Sequence, residues 1–197
     1  MRKAIIQGEF PPGEKVTIKH LAELYGVSAM PVREALNRLQ SERFVHFERR
    51  SIIINQLSPK ELLEIFEVRK SLEKTAMERS FLNLKKQDLL ELEKIVKEMD
   101  KNLHLPYEWN QLNKQFHLKI YSYSNAKFLL ELLDLTWGRL EPYMHIYSSS
   151  TKHPSFSQED HYKFIEYIKN KDKEKLIRLT VDHIQETCAS VLAEIDK

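Results

Sequence analysis

From Ser58 onward, hydrophobic positions return every three or four residues with few interruptions. That period lays one apolar stripe along a helix and leaves the charged residues for the other faces. Six amphipathic helices are predicted, over roughly 59–82, 86–103, 107–123, 126–149, 157–170 and 172–195. Breaks fall at Asn83, at Pro106, at Ser124-Asn125, at "SSSTKHPS" and at Lys171. Neither an internal repeat nor a low-complexity run interrupts them.

The first 57 residues follow another pattern. "EFPPGEKV" (9–16) reads as a turn. "TIKHLAELYG" (17–26) has a capping Thr17, apolar Ile18, Leu21, Ala22, Leu24 and Tyr25, and a Gly26 suited to a left-handed helix stop. Ser28 then caps a second helix, with Pro31 in its first turn and Val32, Ala35, Leu36 and Leu39 at helical spacing. "FVHFERRSIIINQL" (44–57) alternates and is rich in β-branched residues, which predicts two short strands around a charged tip. Helix, tight turn, helix and hairpin make a winged helix-turn-helix. The predicted fold is therefore mainly α: a winged helix-turn-helix over 1–57, then an all-α bundle of six to seven helices over 58–197.

Composition sharpens this. Of four glycines, three (Gly8, Gly13, Gly26) lie in the first 26 residues, so the remainder is nearly free of turn glycines, as helices require. One cysteine, Cys188, excludes an internal disulfide and any multi-cysteine metal site. No stretch approaches the roughly 20 apolar residues that span a bilayer, and "QGEFPPGEK" ends the apolar run of "MRKAII" almost at once. A protein that meets no membrane and stays in the cytoplasm is expected. Residues 1–56 hold nine Lys/Arg against six Asp/Glu, while 57–197 hold 22 against 23. A small basic head on a neutral body points to nucleic acid.

In a helix-turn-helix the second helix enters the major groove, with its N-terminal residues at the base edges. That position belongs to Ala29, Met30 and Arg33, and Arg33 suits a bidentate contact to guanine. Lys19 and Ser28, with Arg49 and Arg50 at the hairpin tip, suit phosphates. Any one of these arginines alone is ordinary surface charge; the capped helix pair and the basic hairpin together predict double-stranded DNA as the partner.

"IIQGEFPPGEKVTIKHLAELYGVSAMPVREALNRLQSE" resembles the N-terminal domain of the GntR family of bacterial repressors, and "ELLEIFEVRKSLEKTA" resembles the opening of the helical FCD domain of its FadR-like branch. The "GVS…PVREAL" portion carries most of the likeness. The resemblance implies a homodimeric regulator, a repressor, that binds a pseudo-palindromic operator and answers to a small organic acid. Three positions depart from the family pattern. Ala29 stands where the family has arginine, and Arg43 where it ends a helix with glycine. The wing glycine falls at Arg50 or Ser51. The family's first helix also begins upstream of "AII", so either the true start lies further upstream or this domain lacks part of its own packing.

Three of the eight histidines lie on the apolar stripes of their own helices: His117, His161 and His183. Asn113 precedes His117 by one turn and points the same way. Inward imidazoles from three helices, with an oxygen donor, either hydrogen-bond within a core or hold a first-row divalent metal. The resemblance implies the metal, because many FCD domains hold one through Asp-x-x-x-His and two later histidines. Here "NKQFH", "QEDHYKFI" and "TVDHIQET" supply Asn113, His117, His161 and His183, with asparagine in place of aspartate. Zinc, nickel or manganese is the expected ion.

Arg69 shares a face with Leu62, Phe66 and Glu73, and an inward arginine needs a partner: Glu73, one turn on, or an anionic effector. Arg139 and Tyr143 are pocket candidates of the same kind, while Leu129, Leu132, Leu133 and Leu140 belong to core or dimer interface. A metal-independent sensor of acyl-CoA type would not need the histidines. A metallohydrolase would need a general base that the sequence does not display, and a purely protein-binding adaptor would leave Arg33, Arg49 and Arg50 unexplained.

Overall fold

Periodicity of 3.6 over the long C-terminal part and a mixed pattern before it give two units that differ in kind. The computed structural model describes residues 1–49, 51–149 and 153–195, and the side chains of all of these but 153–156. The chain separates into Met1–Ser58 and Pro59–Lys197. Arg50, one of the residues proposed above for the hairpin tip, lies outside the described residues.

In the first unit, α1 (Arg2–Ile6) precedes a short strand β1 (Lys15–Val16), helices α2 (Ile18–Tyr25) and α3 (Ala29–Ser41), and strands β2 (Val45–Glu48) and β3 (Ser51–Ile54). The Thr17 hydroxyl accepts the His20 N–H at 3.1 Å, which caps α2. Gly26 ends it at φ 64°, ψ 33°. Ser28 occupies the cap position of α3, but its hydroxyl makes no capping hydrogen bond, so the cap expected there is a backbone geometry only. The stripe of α3 buries Val32, Leu36 and Leu39, whereas Ala35 is exposed. At 100° per residue, Ala35 lies roughly 60–70° off the centre of that stripe. Helix α2 has two turns and fully buries only Leu21; Leu24 and Tyr25, at its end, are exposed.

The strand β1 falls within a segment whose prolines and glycine read as a turn. It is an edge strand of two residues, antiparallel to β3 with Lys15 opposite Ile53 and Val16 opposite Ile52, in the order β1-β3-β2. Pairing rather than periodicity makes it: the Gly13 N–H donates to the Ile54 carbonyl and the Ile54 N–H to that of Glu14, both at 2.9 Å. Strands β2 and β3 pair from Val45–Ile54 to Glu48–Ser51, and Arg49 follows the last paired residue of β2.

The second unit is all helical: α4 (Pro59–Asn83), a 3-10 turn (Lys86–Asp88), α5 (Leu89–Lys101), α6 (Pro106–Ser122), α7 (Lys127–Ser149), α8 (His153–Lys169) and α9 (Lys173–Ile195). The mainly α class is thus as expected. Helix α8 starts earlier than the predicted residue 157, and Pro154 in its first turn is no obstacle, because a first-turn residue needs no intrahelical N–H bond. On α4 the buried face runs Leu62, Ile65, Phe66, Arg69, Glu73, Ala76, Met77 and Ser80, a 3.6-residue stripe with an ion pair inside it. Helices α4, α5 and α7 pack around α6, α8 and α9, and Trp109, Phe116, Ile120, Leu133, Leu140 and Phe164 fill the centre without exposure. No helix among the described residues is long and apolar enough to cross a membrane.

A buried histidine cluster and an open recognition helix

On α3 the side chains proposed for DNA stand open. Ala29, Met30 and Arg33 are exposed, Met30 by 69%. Arg33 makes no ion pair among the described residues, whereas Arg38, further along, is engaged by Glu42 at 3.0 Å. The Ser28 hydroxyl is free of capping duty, and Lys19 is exposed, 3.9 Å from Glu23. Arg49 is exposed at the hairpin tip with φ 51°, a left-handed conformation disfavoured for a residue with a Cβ.

The helical unit does the opposite with its polar groups. His117 on α6, His161 on α8 and His183 on α9 converge in the core, with one nitrogen from each ring lying within 4.8 Å of the others. His117 and His161 are fully buried and His183 is 4% exposed. The Nε2 atoms of His117 and His161 lie 3.2 Å apart. Two nitrogens about 2.0–2.1 Å from one ion, at angles of about 90–110°, stand about 2.8–3.4 Å apart. That pair is spaced as two ligands of one ion would be, and His183 offers a ring nitrogen within 4.8 Å of both. Burial holds His117 well below the usual imidazole value, helped by His161, His183 and Arg69; burial and then His183 do the same for His161. Both rings are neutral at neutral pH, the state in which imidazole ligates.

Asn113 is buried one turn before His117, and its Oδ1 has no hydrogen-bond partner. A buried carbonyl oxygen without a donor needs a reason, and an ion bound to the neighbouring imidazoles would supply one. Trp137 Nε1 is likewise buried and unpartnered, on a ring whose centroid is 5.7 Å from that of His117.

Several groups around the cluster escaped the sequence reading. Asp160 Oδ2 is 3.2 Å from His183 Nδ1. Burial works against ionisation of Asp160, but hydrogen bonds from His183 and Lys163 outweigh it and hold the carboxyl below its ordinary value. The Tyr121 hydroxyl donates to Glu73 Oε2 at 2.6 Å and lies 3.4 Å from His117 Nδ1. Burial, then the Glu73 charge, raises Tyr121 well above a free phenol, so the hydroxyl keeps its proton. Tyr121 follows His117 by one turn, a spacing that could have flagged it; nothing local ties Asp160 to a histidine on another helix.

Arg69 takes the partner on its own helix. Its Nε donates to Glu73 Oε1 at 2.6 Å, both groups are buried, and the guanidinium lies 3.8 Å over the Trp137 ring. Of the other two pocket candidates, Tyr143 is buried in α7 and Arg139 is exposed. Beside His183 lies a partly open cavity of about 310 Å³, lined by Tyr147, Ser157, Asp160, Glu186 and Thr187 among others.

An exposed recognition helix on a winged helix-turn-helix, joined to an all-helical unit with a polar cluster in its core, defines the class: DNA-binding transcription regulators with a ligand-binding domain. Residues 1–54 match the model of the bacterial regulatory proteins of the gntR family, and residues 64–186, more than half of the chain, match the FCD domain. The chain belongs to the GntR family and carries a C-terminal FCD domain. It is similar to the uncharacterized HTH-type regulator YdhC of Bacillus subtilis, with 28% identity over 95% of this chain and 86% of that one. The HTH-type regulator McbR of Escherichia coli is also 28% identical, over 96% and 88%. A gluconate operon repressor of Bacillus licheniformis is 27% identical over 90% and 76%. The solved structure of E. coli McbR superposes with a TM-score of 0.80, covering 100% of this chain and 94% of that one. Family and relatives are regulators, not enzymes, and the metallohydrolase alternative falls with that.

Proposed function

We propose that this regulator is a homodimeric repressor whose helical domain senses a small organic acid through a divalent metal. The observation that carries the metal is the convergence of three buried imidazoles beside an unpartnered Asn113 Oδ1. His117, His161, His183 and Asn113 would hold the ion, which supplies positive charge and open coordination positions for a carboxylate. Because Arg69 is neutralised by Glu73, the pull on an anion comes mainly from the metal. Imidazole-rich coordination favours zinc or nickel over manganese. Arg69 and Tyr143 remain the buried effector-side candidates, while Arg139, being exposed, fits that role less well.

At the operator, Arg33 reads guanine with Ala29 and Met30 beside it, and Lys19, Ser28, Arg49 and Arg50 take phosphates. A pseudo-palindrome with half-sites one helical turn apart needs two heads, hence the dimer. A relative named as an operon repressor supports repression. Whatever the effector, it must bind one arrangement of the dimer more tightly than the other to change DNA affinity.

The test begins with protein stripped by chelator, reloaded with Zn(II), Ni(II) or Mn(II), and analysed for metal by emission spectrometry. One ion per chain is expected, with any carried-through acid identified by mass spectrometry. A folded protein that takes up no metal would leave a metal-independent sensor as the surviving reading. Light scattering on the full chain at micromolar concentration should report a dimer; a monomer sinks the two-headed operator model.

A further inference from the structure

The three imidazoles differ in what holds them from behind. Tyr121 has one hydroxyl proton, and it is directed to Glu73 Oε2 at 2.6 Å, a carboxylate oxygen that only accepts. The other Glu73 oxygen is taken by Arg69 Nε at 2.6 Å. With its proton committed, the Tyr121 oxygen can only accept at its 3.4 Å contact with His117 Nδ1. His117 thus carries its proton on Nδ1 and turns the Nε2 lone pair inward. The Asp160 carboxylate imposes the same tautomer on His183 from 3.2 Å. His161 has no such backing: its Nδ1 is buried without a hydrogen-bond partner, and its Nε2 lies 3.2 Å from His117 Nε2, which in that tautomer carries only a lone pair. At that separation His161 must be the donor, with its proton on Nε2.

We infer that Tyr121, held by Glu73, and Asp160 are positioning residues that preset His117 and His183 as metal-ready Nδ1–H tautomers, and that His161 is the ring that must change. On binding an ion, His161 gives up a proton at Nε2 and takes one at Nδ1, so the ring stays neutral and no net proton leaves it. The inference rests on the metal reading above, but its core claim concerns protons in the metal-free protein. Carboxylate or hydroxyl partners behind ligating histidines commonly contribute 10–100-fold in metal affinity.

Two-bond proton–nitrogen correlation spectra of the imidazole rings, in nitrogen-15-labelled full-length protein stripped of metal, show which nitrogen carries each proton. His117 and His183 should be protonated at Nδ1 and His161 at Nε2; on adding Zn(II), only His161 should exchange its pattern. Tyr121→Phe should release His117 into a mixture of tautomers and weaken Zn(II) by about 10–100-fold in chelator competition. Asp160→Ala should do the same at His183, whereas Asp160→Asn, which keeps an acceptor, should restore much of the loss. If Tyr121→Phe does not fold, the Asp160 pair decides the matter, since that carboxylate sits at the rim of the cluster and the lysine paired with it, Lys163, is half exposed. A wild-type His117 or His183 protonated at Nε2, or rings that do not respond to either substitution, overturns the inference. Failure of the wild type to bind zinc is a separate result: it removes the metal site and leaves the tautomers to be judged by their own spectra.

Discussion

On α3, Arg33, Ala29 and Met30 stand in solvent, and Arg33 has no ion pair among the described residues, while in the helical unit His117, His161 and His183 are almost wholly withdrawn from it and lie against one another. Under the proposed function, the contrast follows from what each surface would have to grip. A helix that reads base edges must leave its donors unpaired, because a side chain already satisfied within the protein gains little from a base. Three ligands for one small ion must be desolvated, aimed and held in the right tautomer beforehand, and only a packed core does that. The open surface should therefore lose function by degrees when altered; the closed one should lose it abruptly.

The abrupt case gives the largest expected effect. His161→Ala removes one of three imidazoles from the cluster and should lower metal affinity more than 100-fold, on the order of 3 kcal/mol or more, while circular dichroism and dimer size stay unchanged. An unfolded variant would mean that the cluster is structural core. Unchanged metal content after dialysis against chelator would remove His161 from the ligand set.

Graded loss is the expectation for Arg33→Ala. A bidentate guanine contact is worth roughly 1–3 kcal/mol of discrimination, so affinity for the specific operator should fall about 5–150-fold while random DNA is nearly unaffected. Equal losses on both, in titrations at fixed salt, would show Arg33 to be a phosphate contact, and the contrast between reading and gripping would lose its main support.

Asn113→Asp probes the closed site without opening it. With three neutral imidazoles and an amide, a divalent ion keeps its full charge; an aspartate reduces that charge by one. Coulomb attraction at close range outweighs the desolvation of one added carboxylate when an ion is present. Metal affinity in the absence of any acid should rise about tenfold, and citrate or another test carboxylate should bind the metal-loaded variant more weakly than the wild type. Isothermal titration measures both. An unchanged metal affinity excludes Asn113 from the ligand set.

The same division governs what the chain discloses in one dimension. The α2–turn–α3 arrangement is legible because each signal is local: Thr17 three residues before the amide it caps, Gly26 at the stop, Leu36 and Leu39 at helical spacing. The inward direction of each histidine is local too, since it follows from the stripe of its own helix. Their convergence is not, because it depends on how α6, α8 and α9 pack. Asp160 shows the limit most clearly: it is adjacent to His161 in sequence yet bonds His183 on the next helix. Strand β1 is hidden for a related reason, as two residues carry no period and the strand exists only through pairing with β3.

The smallest effect concerns two helix ends of the DNA-binding unit that use one motif with different residues. After α2, the Val27 N–H donates to the Ala22 carbonyl at 3.0 Å and that of Gly26 to Glu23 at 3.3 Å. After α3, the Phe44 N–H donates to Leu39 at 2.9 Å and that of Arg43 to Gln40 at 3.0 Å. Both are left-handed stops of Schellman type, and both central residues have φ 64°. Glycine takes that conformation freely, whereas a residue with a Cβ is disfavoured there by about 1–2 kcal/mol. The strain at Arg43 is held in place partly by the Asn55 side chain, whose Nδ2 donates to the Arg43 carbonyl at 2.7 Å. Arg43→Gly relieves it, while the greater freedom of glycine in the unfolded chain returns about 0.5–1 kcal/mol. A net stabilisation on the order of 0.5–1 kcal/mol should appear as a higher urea midpoint for unfolding of the N-terminal unit. Gly26→Ala, at the matching position with no atom within 4 Å of the added Cβ, should destabilise by a similar amount. An Arg43→Gly variant less stable than the wild type would show that the arginine side chain contributes more to this unit than its backbone strain costs.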